Sequence, residues 1–174
     1  MIQINDLADP AWTASTHGCD YDIRFLEGGL ETWNIDTNPP YQRGHVWTDE
    51  QRSAFLGYWL QGGTVPTLWA WEPPSKKEDS GEARPELIDG KQRLTALLMW
   101  WHNEIAANVD GQMIFARDTN KRFRSHHMIK LTFVRLESRA DVIRFYLRLN
   151  GGGTPHLPEE LARVKALLDA EAKG

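Results

Sequence analysis

Short strands and helices follow one another in mixed order along this chain, which predicts an α+β domain with one small mixed sheet and helices packed on it. Two further observations agree. At 174 residues and 41% hydrophobic the chain can bury one sizeable core and fits one main domain. No internal repeat or low-complexity tract interrupts it.

Residues 1–20 form an N-terminal arm that mixes Pro10, Trp12 and small polar residues without sustained periodicity, fitting a short helix and then loop. The main domain spans 21–150. Tyr21 to Leu26 and Leu30 to Ile35 read as two strands around Glu27-Gly28-Gly29, a glycine-bearing hairpin turn. Thr48 begins a helix, because Thr48 and Gln51 have capping-box spacing and Phe55, Leu56, Trp59 and Leu60 supply an apolar face. Gly62-Gly63 ends it. Val65 to Trp71 and Glu86 to Asp89 read as partner strands, joined by a polar, turn-rich insert expected to be an exposed mobile loop. A helix from about Lys91 to Ala106 places Leu94, Leu97, Leu98, Trp101 and Ile105 on one face. Trp100 and Trp101 are adjacent, so helix geometry points one to the core and the other elsewhere. Gln112 to Ala116 and Met128 to Val134 read as further strands, and Ser138 caps a helix ending near Asn150. Residues 151–174 comprise a glycine linker and a last helix, opened by Pro158 with Glu159 and Glu160 in its first turn and packed on the same domain.

The stretch with most chemistry is Leu87-Ile88-Asp89-Gly90-Lys91-Gln92-Arg93-Leu94-Thr95, an apolar strand running through a glycine turn into a helix. Free N–H groups in a helix's first turn and its macrodipole favour an anion, and Lys91 and Arg93 add positive charge. Asp89 sits just before the turn, near enough to help with a metal ion or a proton. Upstream, Asn38-Pro39-Pro40-Tyr41-Gln42-Arg43 is held extended by its prolines and offers a stacking ring, an amide and a guanidinium in a row. Each segment alone also fits ordinary turn chemistry. Gly151, in Gly151-Gly152-Gly153, follows Asn150 as either a third wall or a helix stop and flexible linker.

Taken together, Asn-Pro-Pro-Tyr-Gln-Arg, then a helix, then Gly-Gly-Thr-Val-Pro-Thr-Leu, then Leu-Ile-Asp-Gly-Lys-Gln-Arg-Leu-Thr resembles a large bacterial and phage family of unknown-function domains. That family forms the N-terminal, nucleotide-hydrolysing part of GmrSD-type modification-dependent restriction enzymes. The pattern is also similar to the ParB and sulfiredoxin superfamily. Phe145-Tyr146-Leu147-Arg148-Leu149-Asn150 is similar to the family's Phe-x-Arg-Leu-Asn signature, and the resemblance extends over roughly residues 20 to 165. Lys91 departs from the family's usual Asp-Gly-Gln-Gln-Arg.

The resemblance implies a ParB-like fold and a pocket for a nucleoside triphosphate with Mg2+. It implies catalytic roles for Asp89, Gln92 and Arg93, with Asp89 either holding the metal or orienting the attacking water. Tyr41, Gln42, Arg43, Gly90, Lys91, Thr95, Asn150 and Gly151 are the expected nucleotide-binding residues. Gly90 permits close approach, Lys91 neutralises charge, Arg93 grips oxygens in a forked geometry, and Gln42 and Arg43 form the opposite wall.

Other chemistry is weaker. A net charge of −4 gives no global case for nucleic-acid binding, so such contact must be local, as in the basic stretch Lys121 to His127. Adjacent His126 and His127 point to opposite sides of a strand and form no metal pair by themselves. His45 and His156 lie near the proposed site in sequence, where turn or surface roles compete with a ligand role. The single Cys19 excludes an internal disulfide and suits a reduced compartment. Sulfinic-acid repair is a poor fit, because sulfiredoxins need a cysteine at the glycine turn. Without an apolar run of about 18 residues or a signal-like N-terminus, the expectation is a soluble cytoplasmic protein with no membrane partner.

The functional expectation is thus a nucleotide-binding module, an Mg2+-dependent NTPase or nucleotide switch of a DNA-defence or counter-defence system, without the nuclease domain of larger relatives. Its partners would be the nucleotide and either DNA or a nuclease protein. The alternative is a non-catalytic DNA-binding or protein-interaction module on the same fold.

Overall fold

A computed structural model describes residues 15–42, 44, 47–74, 84–120, 127–150 and 158–171. The domain is α+β, with a four-stranded mixed sheet and a separate two-stranded hairpin. The elements are β1 (Thr16–Tyr21), α1 (Ile23–Thr32), α2 (Asp49–Leu60), β2 (Leu68–Glu72), β3 (Glu86–Asp89), α3 (Lys91–Trp101), β4 (Ala107–Val109), β5 (Gln112–Ile114), β6 (Ile129–Arg135), α4 (Arg139–Asn150) and α5 (Pro158–Glu171). β6 runs antiparallel to β1 and parallel to β2, while β2 and β3 are antiparallel.

Period-2 alternation divides the core between the two faces of this sheet. Leu68 and Ala70 of β2, Leu87 of β3, and Ile129 and Leu131 of β6 join Leu26, Leu56, Leu97 and Trp100 in one apolar layer. Trp71, Ile88 and Val134 face the other way, onto Val142, Ile143, Phe145 and Tyr146 of α4 and Val164 of α5. The chain between β2 and β6 supplies α3 and the β4–β5 hairpin before re-entering the sheet, so parallel pairing is possible.

The hairpin expected at residues 21–35 does not form. β1 ends at Tyr21, and Asp22 then caps α1 by accepting from the backbone N–H groups of Arg24 at 2.9 Å and Phe25 at 3.2 Å. Ile23, Leu26 and Leu30 are buried, a spacing of three and four residues that one helix face satisfies and a strand cannot. Gly28 and Gly29 therefore lie inside the helix, and burial of that face offsets their cost of about 1 kcal/mol each. The chain leaves α1 through Asn34, whose φ is +50°.

The capping box of α2 is present, with Gln51 N–H donating to Thr48 Oγ1 at 3.3 Å and Thr48 N–H to Gln51 Oε1 at 2.9 Å. α3 is shorter than the periodicity suggests. It stops at Trp101 because Asn103 takes a left-handed φ of +62°, which leaves Ile105 buried in the following loop. Trp100 is the core tryptophan, donating its indole N–H to the Ile114 carbonyl at 3.0 Å, while half-buried Trp101 donates to Glu27 at 3.0 Å. β5 ends at Ile114, and Ala116 belongs to a short 3-10 turn instead. β4 has no counterpart in the sequence reading, although Asp110-Gly111, both at positive φ, form the type of turn that joins tight hairpins. Ser138 caps α4 as expected, its Oγ accepting from Asp141 N–H at 3.2 Å. Among the described residues, no helix is long and apolar enough to cross a membrane.

Candidate functional site

The site grows from the end of β3. Asp89 closes the strand, and Gly90 turns the chain with φ +101°, a conformation that L side chains rarely adopt. α3 starts directly behind it with Gly90 as its N-cap residue, so no N-cap side chain bonds the backbone N–H groups of its first turn. These residues line a pocket of about 390 Å³ together with Gln42, Trp47, Pro66, Tyr146, Leu149 and Asn150. That size suits a small-molecule ligand.

The wall opposite the turn is built on the edge of β3. Asp36 bridges to Glu86 in parallel fashion, exchanging backbone hydrogen bonds with Pro85 and Leu87 at 2.8 Å each. The extended run expected from the prolines does not persist: the chain turns at Pro40 and Tyr41, with Gln42 N–H donating to the Pro39 carbonyl at 3.0 Å, and Gln42 donates its side-chain amide to the Leu87 carbonyl. From α5, Arg163 donates to the carbonyls of Pro40 and Gln42, so the last helix clamps this loop from outside.

The charged groups at the turn are partnered. Arg93 Nη2 donates to Asp89 Oδ2 at 2.5 Å and Nη1 to the Pro66 carbonyl at 2.8 Å, holding the guanidinium at the pocket floor. Lys91 Nζ donates to Asn38 Oδ1, and burial lowers the lysine's pKa from its ordinary value. Asn150 donates its amide to the Tyr146 carbonyl at 2.8 Å, one turn back in α4.

Gln42, Asp89, Gly90, Lys91, Gln92, Arg93 and Asn150 are thus brought together around one pocket. Two expected residues are placed elsewhere. The Tyr41 ring is only 1% exposed and packs on Tyr146 with centroids 5.3 Å apart, because the loop turns it inward beneath the sheet. It cannot stack on a ligand there. Burial, then the negative charge of Glu86, push its phenol well above the ordinary tyrosine range, so it stays neutral. Thr95 lies one turn along α3 from Lys91, lining a neighbouring groove with Leu98, Met99 and His102 instead. Gln92 is buried, its amide donating to the Gly44 carbonyl at 2.9 Å and its oxygen accepting from Trp47 N–H at 3.3 Å. These bonds make it a clip between α3 and the loop before α2.

Arg43, His45, His156, Gly151 and the stretch from Lys121 to His126 lie outside the described residues. His127 sits against Trp59 and the Leu60 carbonyl, 3.1 Å from its Nε2. The sequence reading passed over Trp47, Pro66, Tyr146 and Leu149 as pocket residues. Tyr146, Leu149 and Asn150 share the three-and-four spacing of one helix face, and Trp47 lies four residues after the proline-led segment that ends at Arg43, so both signals were in the sequence.

Behind the pocket, Glu86 is buried and paired with Arg139 Nη2 at 2.9 Å, but its Oε2 has no hydrogen-bond partner among the described residues. Burial raises its pKa, with Arg139 pulling the other way. Because the folded chain holds this proton more tightly than the unfolded chain, the stability involved is fully present below the ordinary glutamate value. It is lost as pH rises through the raised one. Glu86→Gln is expected to flatten the fall in melting temperature as pH climbs from about 4.5. A slope identical to wild type would show that the carboxyl titrates normally.

No curated protein matches this chain. Residues 26–128 match the family described as GmrSD restriction endonuclease, N-terminal domain. The match begins within α1, takes in the loop carrying Gln42 and Trp47 and the whole Asp89 to Arg93 turn, and stops before β6 and α4. With more than half its length matched and the turn at its centre, the chain belongs to the GmrSD restriction endonuclease N-terminal domain family and is a module of a restriction system.

Proposed function

We propose that the pocket at the β3–α3 turn binds a nucleoside triphosphate as its Mg2+ complex, and that the chain works as an NTPase or nucleotide switch within a restriction system that defends against foreign DNA or counters such defence. The observation that carries this reading is the start of α3 directly behind a left-handed Gly90, lying on the pocket with Lys91 and Arg93 beside it. Backbone N–H groups, the helix dipole and two cationic side chains suit phosphate oxygens better than any neutral ligand. A side chain is also strained at Gly90, where φ is +101° and a Cβ would fall 2.3 Å from Leu68 Cδ2.

Each residue then has a task. The first turn of α3 and Lys91 take up phosphate charge, and Arg93, steadied by Pro66, grips oxygens with its fork. Asp89, aligned by Arg93, orients a water or the metal complex. Asn150 closes the side formed by α4.

Among the described residues, no group of three or more His, Cys, Asp and Glu is placed to hold a metal ion, and Asp89 is the acidic residue lining the pocket. A lone carboxylate does not make a resident metal cage. It does fit Mg2+ carried in on the triphosphate, because Mg2+ commonly uses one or two carboxylates plus substrate phosphates.

The test is a thermal-shift panel of the four ribonucleoside triphosphates, with and without Mg2+, on wild type and Asp89→Ala. Wild type should gain about 2.7 kcal/mol at a hundredfold excess over Kd, roughly 5 to 10 °C for a chain of this size. Asp89→Ala should lose the part of the gain that depends on Mg2+. If none of the four nucleotides stabilises wild type in either condition, the nucleotide reading is wrong.

A further inference from the structure

Lys91 and Arg93 bring positive charge to this pocket, but Tyr41, the ring expected to stack on or position the nucleotide, is buried beneath the sheet. Among the described residues, two aromatics line the pocket, Trp47 and Tyr146. Tyr146 is only 4% exposed and is already packed on Tyr41, whereas Trp47 is half-buried. The Trp47 ring rests on Phe55 of α2, with centroids 5.3 Å apart and planes tilted by 57°. Its backbone is tied by N–H donation to Gln92 Oε1 at 3.3 Å, and Gln92 Nε2 holds the Gly44 carbonyl at 2.9 Å. The same side chain therefore grips the loop on both sides of the two residues that precede Trp47.

We propose that Trp47 is the surface on which the nucleotide base stacks, and that Gln92 is the positioning residue that keeps it there. This inference rests on the nucleotide reading of the same pocket. An indole is the largest flat apolar surface a side chain offers, and stacking on it tolerates any base because every base has a π-face. Gln92 sits in the first turn of α3, beside Lys91 and Arg93, so one short segment sets both where phosphates bind and where the base lies. The arrangement selects nucleotides over simple polyphosphates without selecting strongly among bases.

Inorganic triphosphate separates the two halves of the pocket. Calorimetric titration of the full chain with a nucleoside triphosphate and with inorganic triphosphate, each with Mg2+, is expected to show Trp47→Leu weakening the nucleotide by roughly tenfold to a hundredfold. Triphosphate affinity should change by less than about twofold, which also reports that the variant is folded. Trp47→Phe, which keeps a ring, should recover most of the loss.

Gln92→Leu should weaken the nucleotide in the same selective way, and the double variant should be no weaker than Trp47→Leu, since both act through one ring. Equal losses for both ligands, or unchanged nucleotide affinity in Trp47→Leu, overturn the stacking role while leaving the phosphate pocket standing. So does a wild-type chain that binds triphosphate as tightly as the nucleotide. Additive effects of the two substitutions overturn the positioning role of Gln92. A wild-type chain that binds neither ligand removes the pocket reading and this inference together.

Discussion

Arg93→Ala is expected to abolish nucleotide binding at concentrations that saturate the wild-type chain. The guanidinium lies on the pocket floor with one nitrogen on Asp89 Oδ2 at 2.5 Å and another on the Pro66 carbonyl at 2.8 Å. A phosphate arriving at the start of α3 competes for those same donors. Hydrogen bonds to charged groups contribute about 1.5 to 3 kcal/mol each, so losing a forked pair weakens binding on the order of a hundredfold or more. Arg93→Lys keeps the charge but not the fork, and should fall between the two.

The effect on folding is much smaller. The Asp89 pair is partly exposed, and such pairs contribute about 1 kcal/mol or less. Isothermal titration at fixed salt, with the ligand-free melting temperature as the check on folding, distinguishes the two effects. Wild-type affinity in Arg93→Ala would remove the turn from the binding site.

Gly57→Ala should produce the largest loss of stability. Gly57 is buried on α2 where that helix crosses β4, and an added Cβ would lie 1.7 Å from the Asn108 carbonyl oxygen and 2.7 Å from its carbon. Both atoms belong to backbone, so no rotamer change relieves the clash; the helix and hairpin must separate. Overpacking of this kind costs about 3 kcal/mol or more, against a helix-propensity gain of about 1 kcal/mol. Gly28 in α1, with nothing within 4 Å of its Cβ position, supplies the control: there the same substitution should stabilise. Urea denaturation of the two variants beside wild type measures both, and equal midpoints would mean that α2 does not approach the hairpin this closely. The clash bears on the site as well, because α2 carries the Phe55 that supports Trp47.

Much of this architecture was legible from local sequence. The Thr48 and Ser138 caps, the β2–β3 pairing and the strand-turn-helix at Asp89 to Arg93 each depend on a few neighbouring residues and form as expected. Where the sequence misled, a local signal competed with a longer-range one. Glu27-Gly28-Gly29 reads as a turn, yet the buried spacing of Ile23, Leu26 and Leu30 makes a helix, since packing on the sheet outweighs glycine's cost. Asp110-Gly111 is a hairpin signal that short flanking strands obscured.

The sequence by itself determined the α+β class, the glycine turn with its cationic helix start, and membership of a family recognised through those same motifs. Only the tertiary structure decided which side chains of the Asn38 to Thr48 segment reach the pocket. Alternation along an irregular loop has no fixed period, so the direction of Tyr41 and Trp47 could not be read from their spacing. It is set by distant partners: Tyr146 draws the Tyr41 ring into the core, while Gln92 and Phe55 hold Trp47 at the pocket wall.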